Sequence, residues 1–99
     1  MANDSPKKIL PPRVPIGLGT HWKVTISAQP QTKGKVDSPV SAPESVFYLP
    51  EPPRTCGSCG RTDTRCIHHD RQESLAGKWE ELEYHCPACN WFTFYDFQD

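Results

Sequence analysis

Two Cys-x-x-Cys elements are the part of this 99-residue chain with the clearest capacity for chemistry. They read CGSCG at residues 56–60 and CPACN at residues 86–90. Each element brings two sulfurs within reach of one ion, and four thiolates in a tetrahedron are a common structural set for zinc. In a reducing compartment, paired cysteines hold a metal more often than they form disulfides. The spacing therefore predicts one Zn²⁺ ion bound by four ligands: Cys56, Cys59, Cys86 and Cys89.

The residue after each second cysteine supports the same interpretation. Such a turn often requires positive φ at this position, which Gly adopts without penalty and Asn tolerates better than most residues. Gly60 and Asn90 occupy it, and Pro87 fixes φ early in the second turn. The 26 residues from 60 to 85 are enough for two strands and a connecting loop between the two turns.

This arrangement resembles the zinc ribbon, in which two knuckles at hairpin tips share one ion above a three-stranded antiparallel sheet. The resemblance covers residues 54–97 and implies a small β fold with the four cysteines as ligands. The same motifs also resemble rubredoxin, where CxxCG and CPxCG hold a single iron for electron transfer. Asn90 replaces the second glycine of that pattern, and Arg61 stands where rubredoxin usually has a tyrosine. Iron remains an alternative to zinc.

The elements that would position this site differ between the two parts of the chain. Ten of the eleven prolines lie before residue 54, which predicts a proline-rich extended arm over residues 1–53 and a zinc-ribbon domain over residues 54–99. HWKVTIS at residues 21–27 alternates apolar and polar side chains and predicts a strand in the arm, with a hairpin return through residues 35–36 as an option. SVFYL at residues 45–49 predicts a short strand or an aromatic segment packed on the domain.

The domain should contain a three-stranded sheet. Strands are predicted at residues 64–68, 78–85 and 91–97, with a loop or one helical turn at residues 70–77. The last strand, WFTFYDF, has aromatic residues on both faces, which is more than three strands can cover alone. One of its faces should therefore meet the N-terminal arm, a partner, or both.

Charge and hydropathy restrict the partners. The formal net charge is −1, with residues 1–55 at +3 (seven basic, four acidic) and residues 56–99 at −4 (four basic, eight acidic). An acidic domain repels phosphates, although nucleic acid remains an alternative partner. Residues 1–12 have no apolar stretch typical of a signal peptide, and no window is long enough to span a membrane. These patterns favour a soluble, cytoplasmic protein with no membrane partner.

Other polar residues near the knuckles have two interpretations. Cys66 could be a reactive thiol or a second ligand, but a small buried residue is the simpler interpretation. The histidines at positions 68, 69 and 85 could contribute to a second metal site. His85 precedes Cys86 and could donate a hydrogen bond near a cysteine sulfur, but we expect its side chain to be exposed to solvent. Five side chains could contact a partner, although solvated or core positions are the simpler reading: Arg61, Arg65, Arg71, Trp91 and Tyr95.

The function predicted from these patterns is a zinc-stabilised protein-interaction adaptor or regulator. It would dock on a larger protein or multi-subunit complex, in transcription or nucleic-acid processing by analogy with other zinc ribbons. The alternatives are direct nucleic-acid binding and electron transfer through iron. No enzymatic activity is predicted, because the sequence has no paired-carboxylate pocket, phosphate loop or triad, and four cysteine ligands leave no open metal position.

Overall fold

The computed structural model describes residues 21–49 and 51–99 as a small all-β protein. Four strands form one antiparallel sheet: β1 (Trp22–Ser27), β2 (Arg65–Ser74), β3 (Gly77–His85) and β4 (Phe92–Gln98). No helix occurs in these two ranges, and thus none that could cross a membrane. The extended course predicted for residues 1–20 and the linker position Pro50 lie outside the described residues.

The sheet has four strands, in the order β1-β4-β3-β2, rather than the three predicted. The additional strand is the one predicted near residues 21–27, which pairs with β4 from Trp22↔Phe97 to Ser27↔Phe92. Pairing with β4 brings the apolar face of β1 into the core, and an alternating strand is stable only where that face is buried. In the described chain between β1 and β2 no second strand forms, so the optional hairpin through residues 35–36 is absent.

The hairpin of β2 and β3 is longer than predicted. Residues 70–74, expected in a loop, continue β2, and only Leu75 and Ala76 form the turn. Asp70↔Glu81 is a like-charged pair, but opposite charges face each other in the other two charged pairs of this stretch, Arg71↔Glu80 and Glu73↔Lys78. Such cross-strand pairs stabilise an antiparallel ladder without apolar side chains, which explains why the polar segment is extended.

The core lies on one face of the sheet, under the turn at residues 46–49. Trp22 is buried, its indole Nε1 donates to the carbonyl of Phe47 at 3.0 Å, and its ring meets the edge of Phe97 with centroids 5.2 Å apart. The segment SVFYL therefore supplies core residues rather than a strand, with a single bridge between Val46 and Leu49. The buried cluster contains these residues: Trp22, Val46, Phe47, Cys66, Leu82, Tyr84, Tyr95 and Phe97.

Two fully buried carboxylates on β3 attach the preceding segments to the sheet. Glu80 accepts the backbone N–H of Phe47 at 3.0 Å, and Glu83 accepts those of Gln31 and Thr32 at 2.6 and 3.0 Å. Since successive side chains of a strand point to opposite faces, residues three apart anchor different segments on different faces. A buried carboxylate is tolerated only when hydrogen bonds satisfy it, and both of these are satisfied.

Candidate metal centre

The four predicted ligands form one cluster in the structure. Their Sγ atoms all lie within 4.8 Å of one another, and two of the separations, Cys56 to Cys89 and Cys59 to Cys86, are 3.6 Å. A tetrahedron with Zn–S bonds of about 2.3 Å has sulfurs about 3.8 Å apart. The donor set and its spacing therefore fit one tetrahedral metal ion. Two of the sulfurs belong to buried cysteines and two to half-buried ones.

The first knuckle (residues 56–61) and the second knuckle (residues 86–91) have the same backbone hydrogen bonds. In each, the carbonyl of the first cysteine accepts the amide N–H four residues later, at 2.9 Å in the first knuckle and 2.8 Å in the second. The N–H of the first cysteine donates to the carbonyl five residues later, at 2.8 and 3.0 Å. Gly60 and Asn90 have φ of 84° and 64°, as their residue types predicted. The two knuckles are therefore equivalent halves of one site.

Backbone N–H groups stabilise negative charge on the sulfurs. The amides of Ser58 and Cys59 both lie 3.4 Å from Cys56 Sγ and donate to it. Burial raises the pKa of Cys56, but these two N–H groups and the neighbouring thiols lower it below its ordinary value overall. Burial raises the pKa of Cys59, and it raises the pKa of Cys89 to about 12. A divalent cation would offset the cost of burying negative charge, which otherwise keeps several of these thiols protonated.

The sheet holds each knuckle through a buried side chain. The amide of Gly57 in the first knuckle donates to Thr93 Oγ1 on β4 at 2.9 Å. In the second knuckle, Asn90 Oδ1 lies 2.6 Å from His85 Nε2 at the end of β3. The expected solvent exposure of His85 is therefore wrong: the ring is buried, because β3 ends beneath the knuckle and Phe92 covers the ring, with centroids 5.0 Å apart.

Cys66 and the other two histidines do not extend the metal site. Cys66 is buried on β2, where its thiol donates to the carbonyl of His68 at 3.4 Å. The ring nitrogens of His68 and His69 lie 3.1 and 2.7 Å from carboxylate oxygens of Glu81 and Glu80. Within residues 21–49 and 51–99, the four-cysteine cluster is the one group of candidate metal ligands.

The three arginines proposed for partner contact have different environments. Arg61 forms an exposed ion pair with Asp63 at 2.8 Å, and Arg65 is exposed on β2. The guanidinium of Arg71 lies 4.0 Å above the ring of Phe47, where it covers the core. Binding by all three arginines remains a prediction, and it would require two of them to leave these contacts.

The two aromatic residues proposed for partner contact also differ. Trp91 is half-buried at the end of the second knuckle. Tyr95 is fully buried on β4, and its hydroxyl donates to the carbonyl of Thr55 at 2.5 Å. A partner could touch Trp91 without rearrangement, whereas Tyr95 supports the chain just before the first knuckle.

Three supporting residues were not predicted from the sequence: Glu80, Glu83 and Thr93. A period-two reading of β4 places Thr93 on the same face as two buried aromatic residues, so its burial could have been inferred. Glu80 and Glu83 carry no comparable signal, because glutamate is almost always exposed and their partners are distant in sequence.

Comparison with known proteins adds no relative to this picture. No family model matches the chain, and no curated protein or solved structure shows significant similarity to it. The function of this chain is therefore inferred from the donor set, its geometry and the surface around it.

Proposed function

We propose that this chain is a zinc-binding protein in which one structural ion joins the two knuckles. The observation that carries the proposal is the clustering of four cysteine sulfurs within 4.8 Å. Four thiolates complete a tetrahedral shell and leave no open position for water or substrate, so the ion would be structural rather than catalytic. Binding zinc contributes on the order of 10–16 kcal/mol in small peptides, which is comparable with the entire stability of a domain of this size.

Metal analysis of the purified protein tests this proposal. We expect about one zinc per chain and a clear loss of bound zinc when Cys56→Ser removes one ligand. Cys66→Ser is the matched control, because that thiol is buried but lies outside the cluster. A colourless protein would support zinc, whereas a red ferric chromophore would favour the rubredoxin-like alternative. Folded protein without stoichiometric metal would contradict both.

For the biological role we propose a protein-interaction adaptor that docks on a larger assembly. Its support is the exposed end of the β2–β3 hairpin, where Leu75 is fully exposed and Trp79 is 42% exposed. Tryptophan is enriched among the residues that dominate binding energy at interfaces, and the paired strands of the hairpin order its backbone before a partner binds. The link to transcription or nucleic-acid processing is an analogy with the use of zinc ribbons in such machines.

The adaptor role is tested by capture of partners with zinc-loaded protein. We expect the double variant Leu75→Ser, Trp79→Ser to lose capture of the specific partners that the unmodified chain binds. Val36→Ser is the control, because Val36 is 40% exposed, close to the value for Trp79, but lies in the segment before β2. Equal capture by the hairpin variant and the control would contradict docking through the hairpin.

Direct nucleic-acid binding is the competing proposal and needs its own measurement. A salt-titrated gel shift with Arg65→Ala tests the one arginine of the three that has no ion pair or ring contact recorded in the described structure. Binding that falls steeply with salt and weakens in this variant would favour this alternative, because phosphate contacts release counterions. Absence of binding at low salt would contradict nucleic-acid binding and favour the adaptor role.

A further inference from the structure

The outer edge of β2 includes a stretch of backbone without a neighbour. In the sheet order β1-β4-β3-β2, this strand pairs on one side only within the described part of the chain. Residues 33–40 lie beside its first half, where Val40 donates its N–H to the carbonyl of Cys66 at 2.9 Å and a groove reaches His69. Beyond that groove lies the free edge, residues 70–74. The other described residues supply no backbone partner to its outer side, and residues 71–74 are exposed.

The free edge presents backbone hydrogen-bonding groups at Arg71 and Glu73. The two-residue turn after Ser74 makes Ser74 and Gly77 a hydrogen-bonded pair, and hydrogen-bonded and non-hydrogen-bonded pairs alternate along an antiparallel ladder. Within the free edge, the N–H and C=O groups of Ser74 and of every second residue before it thus point to β3, whereas those of Arg71 and Glu73 point away from it. Native proteins usually protect such an edge with proline, a bulge or a covering segment, and the free edge has none of these.

The charges of the free edge match a second copy of the same strand. Two identical strands pair antiparallel about a two-fold axis perpendicular to the sheet, which places one residue opposite itself. The midpoint of the free edge is Gln72, so pairing through the whole stretch puts Gln72 opposite Gln72 of the second copy. Arg71 then faces Glu73 of the second copy, and Glu73 faces Arg71, while Asp70 faces Ser74. Two opposite-charge pairs flank the axis in this register, whereas an axis shifted by one residue, to Arg71 or to Glu73, would place like charges opposite each other.

The same register gives apolar contact to Leu75, which is fully exposed in the single chain. Leu75 comes opposite His69 of the second copy, at the end of the groove between residues 33–40 and β2. That groove has a volume of about 330 Å³, and Val40 and Ile67 are among the residues that line it. Because the pairing is symmetric, a leucine side chain meets such a groove at both ends of the interface, which adds apolar burial to the backbone hydrogen bonds.

We propose that the free edge of β2 is a dimer interface, where two copies of this chain pair antiparallel and join their four-stranded sheets into one. Each pairing of Arg71 with Glu73 exchanges two backbone hydrogen bonds and one ion pair. The two-fold axis keeps both copies of Trp79 on one face, about 14 Å apart across three strand spacings. A bivalent docking surface is a consequence that rests on the proposed adaptor role, whereas the pairing itself does not depend on that role.

Sedimentation equilibrium of the purified, zinc-loaded, full-length protein tests the pairing. No other partner is present, so the outcome is independent of the capture experiment. We expect a monomer–dimer equilibrium that Arg71→Glu and Glu73→Arg each weaken about tenfold or more, because like charges then face each other twice. An equimolar mixture of these two variants should dimerise again, since every charged pair then joins a glutamate to an arginine, a rescue that misfolding cannot produce. Arg65→Glu is the matched control, on the same strand but outside the free edge.

A disulfide reports the register of the pairing. Gln72→Cys places two thiols across the axis in a non-hydrogen-bonded pair, where Cα atoms are about 4.5 Å apart and a disulfide can form. Mild oxidation of the zinc-loaded variant should therefore give a covalent dimer on a non-reducing gel. Ser74→Cys is the control, because that position faces Asp70 of the second copy and should not cross-link above the level of the unmodified chain. A monomer at every concentration, no rescue in the mixture, or equal cross-linking by the two cysteine variants would overturn the proposal.

Discussion

At the scale of single residues, the two knuckles show how one backbone requirement is met by different side chains. Gly60 adopts positive φ because it has no Cβ. Asn90 adopts it with a side chain, and Asn90 Oδ1 also pairs with the buried ring of His85 at 2.6 Å. Asn90 therefore combines a backbone role with an attachment of the second knuckle to β3.

Substitution at the two positions should separate these roles. We expect Asn90→Ala to destabilise the zinc-loaded protein by about 2–3 kcal/mol, because it loses both the tolerance of positive φ and the hydrogen bond. Asn90→Gly should lose only the hydrogen bond, at about 1 kcal/mol. Gly60→Ala should show the backbone strain alone, at about 1–2 kcal/mol. Denaturant unfolding measures all three, and equal stability of Asn90→Ala and Asn90→Gly would contradict the assigned strain.

The sequence predicted the local features of this site better than its distant ones. Ligand identity and positive φ follow from residue type and spacing within a few positions. The attachments of Glu83 to Gln31 and of Glu80 to Phe47 join residues 52 and 33 positions apart. Periodicity has no information about such pairs, since it describes one segment at a time and not which segment covers it.

At the scale of elements, β1 is part of the sheet rather than a free arm. Its first residue, Trp22, contacts both the turn at Phe47 and the ring of Phe97. The division of the chain at residue 53 remains a prediction, but β1 and the turn contribute buried side chains to the same core as β3 and β4.

Truncation of Trp22 tests that cooperation. We expect Trp22→Ala to destabilise the zinc-loaded protein by about 3–5 kcal/mol, because a buried aromatic ring and its hydrogen bond are lost. Trp79→Ala is the matched control, and its partly exposed ring should cost about 1 kcal/mol or less. Both are measured by denaturant unfolding followed by circular dichroism. Equal effects would show that β1 unfolds separately from the rest of the sheet.

The face of the sheet opposite the core carries a row of acidic side chains. Lys23, Asp96, Glu81 and Asp70 are consecutive partners across β1, β4, β3 and β2. Burial raises the pKa of Asp96, the charge of Glu81 raises it further, and Lys23 opposes both. The folded state thus holds this proton more tightly than the unfolded state, so the contribution of Asp96 to stability is lost as pH rises through its folded pKa.

Two substitutions follow from that row. Asp96→Asn should stabilise the protein at neutral pH, because it replaces a half-buried charged carboxylate with a neutral amide. Glu81→Gln should lower the pKa of Asp96, which carboxyl-carbon NMR can follow as the pH of both proteins is lowered from neutral. Asp63→Asn is the control for Asp96→Asn. It also removes a carboxylate, but one that is exposed and whose pKa Arg61 lowers rather than raises. An unchanged pKa of Asp96 in Glu81→Gln would contradict the assigned repulsion.

At the scale of the whole molecule, the metal and the core should unfold together. The knuckles are attached to β3 and β4 through His85 and Thr93, and β4 lies between β1 and β3. Loss of the ion should therefore directly destabilise β4, which lies between two other strands. We expect no stable sheet without metal, because zinc supplies on the order of 10–16 kcal/mol in comparable sites.

Chelation tests this coupling. Excess chelator should abolish the fixed environment of Trp22, which near-ultraviolet circular dichroism detects, and added zinc should restore it. Acid should act in the same direction, since protons compete with the metal for thiolate sulfur. Cys66→Ser should behave like the unmodified chain in both respects. A sheet that persists in strong chelator would show that the core is sufficient without the ion.

The central place of β4 has a consequence for how the protein is made on the ribosome. β1 leaves the exit tunnel early, yet its only strand partner in the described sheet is residues 92–98, which emerge about 65 positions later. A nascent chain that stops before β4 offers β1 and β3 no shared neighbour. Premature termination should thus yield an unstructured product that cellular proteases remove, so that only chains translated through β4 accumulate.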